Sequence, residues 1–150
     1  MATGKYAPRD YAPDPNNFGK DRGRIAWPEP PEDRVERARS RAAHVQAAVA
    51  ERVHMHLMGG VVTRADLRER TGWTRERLSR ILNGNIVAGL DDLMLLLNAV
   101  HVPFESVISA ATAEQQSRQR HLREVQRYLS EQQQRVQEEI ARIERERRGI

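Results

Sequence analysis

The sequence predicts an all-α protein with a proline-rich N-terminal arm. Apolar residues recur at spacings of three and four along most of the chain instead of alternating, which is the helical period. Thr, Asp and Gly punctuate these runs where helix starts and stops belong. Six of the seven prolines lie before residue 32, so the rest of the chain is nearly free of helix breakers. The chain has 150 residues, a formal charge of +4 and no cysteine. That excludes a disulfide scaffold, a thiolate metal site and a cysteine nucleophile. The longest apolar run, Leu93 to Leu97, is too short to span a bilayer, so no membrane role is expected. Residues 1–10 hold no apolar signal core, and a cytoplasmic protein is expected.

The chain divides into three parts. Residues 1–33 form a flexible arm in which segments such as Ala12-Pro13-Asp14-Pro15 and Trp27-Pro28-Glu29-Pro30-Pro31 favour extended geometry. Its aromatics Tyr6, Tyr11, Phe18 and Trp27 are free to dock on a partner or on the domain itself. Residues 34–110, with net charge +3, carry the apolar content of a folded domain. Residues 111–150 form a long charged helix with no proline and one glycine, Gly149.

A first helix is expected over Glu32 to Met58, after Pro31 and before the Gly59-Gly60 stop. Its apolar stripe is Val35, Ala38, Ala42, Val45, Val49, Val53 and Leu57. Thr63 is an N-cap with Asp66 three residues on, able to return the bond. The helix it opens is short and ends at Gly72. Thr74 caps a second helix from Arg75 to about Leu82, closed by Asn83-Gly84. Leu67, Trp73, Leu78 and Ile81 supply a shared core. Two short helices joined by a tight glycine turn are the helix-turn-helix pattern. Leu90 to Val100 is apolar nearly all round, as a buried bundle helix is. Pro103 to Ile108 gives a last short helix with Pro in its first turn.

From Thr112 to Arg148 the apolar residues are Leu122, Val125, Leu129, Val136, Ile140 and Ile143, spaced 3, 4, 7, 4 and 3. The eleven-residue steps make the seam drift from a strict left-handed coil. So thin a stripe does not stabilise a lone helix. A dimer coiled coil through these six residues is expected.

The order Thr63, Leu67, Thr71-Gly72-Trp73-Thr74, Leu78-Ser79, Ile81, Asn83-Gly84, Leu90-Asp91-Asp92-Leu93 and Val100-His101-Val102-Pro103 resembles the phage-repressor and Cro type of helix-turn-helix, the XRE family. The likeness covers about Val45 to Ile108. Arg68 and Arg70 depart from it where a small and an apolar residue are usual. No proline stands in the Asn85 to Gly89 loop. The resemblance implies a five-helix DNA-binding domain whose second motif helix enters the major groove. By position, Arg75, Glu76, Ser79 and Arg80 would read bases, at a G·C-containing half-site. Arg64, Arg77 and Asn83 would meet phosphate. Residues 64–80 carry a net +3, the local basic patch that duplex DNA attracts. The resemblance implies a nucleoid-associated bacterial or phage regulator, most simply a repressor. It would act as a homodimer on double-stranded DNA, with two half-sites about one helical turn apart. A reading of another class is an adaptor or antitoxin-like protein, whose long helix or arm holds a protein partner.

Catalytic chemistry is not expected. His54 and His56 sit two apart on a helix and do not converge, so no metal is expected there. Asp91 and Asp92 diverge as helix neighbours, and Asp91 suits the first turn. No cofactor motif is present.

Overall fold

The computed structural model describes residues 5–20 and 27–149, the side chains of residues 114 and 115 excepted. Residues 21–26, part of the expected arm, lie outside the described residues. Five α-helices follow one another: α1 (Arg34–Met58), α2 (Arg64–Thr71), α3 (Arg75–Leu82), α4 (Leu90–Ala99) and α5 (Phe104–Arg147). No strand occurs among the described residues. No single described helix is long and apolar enough to cross a membrane. The chain divides into two compact units, Met1–Ala111 and Thr112–Ile150.

Local chemistry sets the helix ends. The Asp33 carboxylate accepts from Glu36 N at 2.9 Å, so α1 starts two residues after Glu32. Thr63 and Asp66 form a reciprocal capping box at α2, with bonds of 3.1 and 2.9 Å. The Thr63 backbone N–H donating to Asp66, helped by the Thr63 hydroxyl, holds its carboxyl below the usual range. Gly72 closes α2 in the left-handed region, φ 73°, and its N–H bonds Arg68 O. The Thr74 hydroxyl accepts from Arg77 N and starts α3. Asp92 returns a bond to Gly89 N at α4. The short helix expected at 103–108 and the long helix expected from Thr112 are one helix, α5. No proline or glycine stands between Phe104 and Arg147 to end it.

In the first unit the core gathers Val49 and Val53 of α1, Leu67 of α2, Leu78, Ile81 and Leu82 of α3, Leu93, Leu96 and Leu97 of α4, and Val107 of α5. Trp73 is half-buried against it. Two expectations need correction. Val35, Ala38 and Ala42 face solvent, and the buried side of α1 runs instead through Ser40, Ala43, His44, Gln46, Ala47, Val49, Ala50, Val53 and His54. On α4, Leu90 and Met94 are exposed, so that helix is buried on one side only.

The arm explains the rotation of α1. Pro8–Tyr11 and Pro15–Asn17 form 3₁₀ turns, and Phe18 enters the core at 2% exposure. Residues 7–19, expected to be flexible, are therefore packed. Small residues on α1 let the arm backbone come close: a Cβ at Gly19 would lie 2.7 Å from that of Ala50. The Phe18 ring covers Gly84, whose own Cβ would stand 2.7 Å from it, and Arg9 N donates to Gly84 O at 3.0 Å. The Tyr11 hydroxyl donates to the Glu36 carboxylate, Arg39 lies over the Tyr6 ring, and Trp27 stacks on His44 with centroids 4.6 Å apart.

Candidate functional site

Helix α3 divides cleanly. Leu78, Ile81 and Leu82 are buried, while Arg75, Glu76 and Arg80 are exposed and Ser79 is half-buried. Arg75, Glu76, Ser79 and Arg80 together line one open surface depression. The i and i+4 spacing of 75 with 79, and of 76 with 80, puts them on one side of the helix. Glu76 and Arg80 form an ion pair of 2.7 Å within that side. Both are more than half exposed, so the pair is worth little and opens at small cost. The side offers guanidinium donors and one carboxylate acceptor on an open surface.

The three residues assigned to phosphate fall differently. Arg64 is exposed in the first turn of α2. The Asn83 amide donates to Ser79 Oγ at 3.3 Å at the end of α3. Arg77 is committed within the chain. Its guanidinium lies over Trp73, 5.2 Å from the ring centre, and donates to both Asp92 oxygens at 3.1 Å. It ties α3 to the start of α4, and its phosphate role would compete with that pair.

Two supporting residues were not anticipated. Gln46 is buried, and its amide Nε2 donates to Ile81 O and Ile86 O, each at 3.0 Å. Its Oε1 accepts from Ala88 N at 3.0 Å. One side chain thus anchors the end of α3 and the loop after it to α1. Its signal was a polar residue on a helix flanked by Val45 and Val49. Arg70, where an apolar residue was expected, donates to Ala99 O at 2.6 Å and satisfies the end of α4.

His54 is buried, and its Nε2 meets no partner among the described residues. Burial lowers its pKa to about 4, helped by the positive charge of Lys20 and opposed by a bond with the Leu82 backbone. His56 is separate: its Nδ1 pairs with Arg52 O. No group of three or more His, Asp or Glu able to hold a metal occurs among the described residues.

In the second unit, Leu122, Val125, Leu129, Val136, Ile140 and Ile143 are all 40–57% exposed. They form a half-exposed apolar stripe along that helix. Comparison with known proteins found no matching family model, no matching curated protein and no matching solved structure.

Proposed function

We propose that the chain is a sequence-specific, double-stranded-DNA-binding regulator of the XRE helix-turn-helix type. It acts as a homodimer and most simply as a repressor. The observation that carries this reading is the shared open side of α3 formed by Arg75, Glu76, Ser79 and Arg80. Arg offers bidentate donors to guanine O6 and N7, Glu an acceptor to cytosine N4, and Ser either. The buried Leu78 and Ile81 on the other side, with the Gln46 and Arg77 ties, hold that side rigidly, as base reading requires. The exposed start of α2, with Arg64 in its first turn, offers a place for backbone phosphate. The stripe at 122–143 supplies the dimer contact. It equally favours a second reading, in which α5 holds a different protein and DNA binding is secondary.

Fluorescence anisotropy with duplex DNA from the region upstream of its own gene tests the proposal, with a scrambled duplex as control, at two stated salt concentrations. The wild type is expected to prefer the specific duplex by about 10³-fold or more. Arg75→Ala with Arg80→Ala is expected to lose that preference while keeping weak, salt-sensitive binding. Equal weak binding to both duplexes by both proteins would overturn base reading by α3. A partner retained by the double variant would then favour the second reading.

A further inference from the structure

We propose that the 112–147 segment of α5 pairs with a second copy of itself in the antiparallel direction, with the two-fold axis between Gln132 and Gln133. This rests on the pairing part of the proposed function and not on DNA binding. Three observations point to it.

The stripe is uncovered: all six apolar residues are at least 40% exposed. It is also palindromic. The spacings 3, 4, 7, 4, 3 read the same from either end. Four residues beyond each end stands an arginine, Arg118 before Leu122 and Arg147 after Ile143. Reversing one copy sets Leu122 against the partner's Ile143, Val125 against the partner's Ile140, and Leu129 against the partner's Val136. Gln132 then meets the partner's Gln133. Each half alone is a regular a/d heptad, with a at 122 and 129 in one and at 133 and 140 in the other. The reversal places every a opposite a d, the layering that antiparallel coils use. The eleven-residue step falls at the axis, where both copies share it. Two glutamines from each copy make polar layers there that fix the register.

The flanking charges choose the direction. In a parallel, in-register pair, Glu139 would flank the seam beside the partner's Glu144, once on each side, and like charges there repel. In the antiparallel pair Glu139 lies beside the partner's Tyr128, Glu146 beside the partner's His121, and Glu144 beside the partner's Gln119. Each carboxylate gains a hydrogen-bond donor.

The chain has no cysteine, so a single introduced one labels one place. Arg120→Cys and Arg145→Cys both lie on the outward side of the heptad, away from the seam. Each full-length variant carries one nitroxide, and label separations are measured by pulsed dipolar spectroscopy without DNA. Antiparallel pairing predicts about 40 Å within each labelled dimer, at 1.5 Å per residue. Mixing the two labelled proteins adds a separation about half as long. Short separations within each dimer and a long one in the mixture would overturn the direction alone. Monomeric mass with no intermolecular separation would overturn the pairing itself. Neither outcome bears on base reading by α3, which anisotropy tests separately.

Discussion

Leucine, isoleucine and valine at helical spacing occur in both units, yet they meet opposite fates. In the first unit Leu67, Leu78, Ile81 and Leu97 are almost wholly buried. In the second, Leu122, Leu129 and Ile140 are each more than half exposed. The residue types do not differ; the supply of facing apolar surface within the chain does. Short helices joined by tight turns give each other cover. Residues 112–147 lie in one unbroken helix, so their stripe meets no facing helix within its own unit. A periodic apolar pattern therefore specifies a face, and only the surrounding elements decide what covers it.

That contrast can be broken by matched substitutions. Leu78→Ala removes a buried side chain that leaves a cavity, and it is expected to destabilise the first unit by about 2–5 kcal/mol. Leu129→Ala is expected to leave the melting of that unit unchanged and to weaken self-association. Denaturant titration and sedimentation on both variants check the pair. Equal loss of folding stability in the two would erase the distinction between the units.

The arm sharpens the comparison, because it sits on the buried side of the divide despite its composition. Phe18→Ala is expected to cost about 3 kcal/mol, since the buried ring packs over Gly84 and its loss leaves a cavity. The same chemical denaturation reports it. A cost near zero would show that residues 7–19 do not belong to the unit's core.

A smaller effect is expected from pH. His54 titrates at about 4 when folded, against its ordinary 6.5. The folded state therefore refuses a proton that the unfolded chain accepts. Stability should hold above pH 6.5 and fall as pH drops from 6.5 towards 4. His54→Leu should flatten the fall over that window in thermal melts. An unchanged slope would mean that other groups set the acid limit.

Much of the first unit was legible in the sequence because its signals are local. Thr63 with Asp66, Gly72, Thr74 and the Asn83 stop act within three or four residues, and α2 and α3 end where those residues put them. That Arg75, Glu76, Ser79 and Arg80 share one side of α3 followed from their i and i+4 spacing. What sequence did not give depended on partners far away in the chain. The rotation of α1 reflects an arm that reaches back onto Ala47 and Ala50, alanines that look like ordinary helix filler. Arg77 meets Asp92 fifteen residues on, and Gln46 meets carbonyls thirty-five and forty residues away. Continuity of α5 was misread because Pro103-Phe104 opens a helix without showing where it stops.

The Gln46 amide makes position 46 intolerant of chemical relatives. Asparagine has the same head group but falls one methylene short of Ile81 O and Ile86 O. Glutamate has the reach but cannot donate to them. Leucine fits the volume and leaves all three backbone groups unanswered. So beside the apolar packing of Ile81 and Leu82, the α3 end is tied to α1 by one functional group at one length, a polar clasp set inside the core.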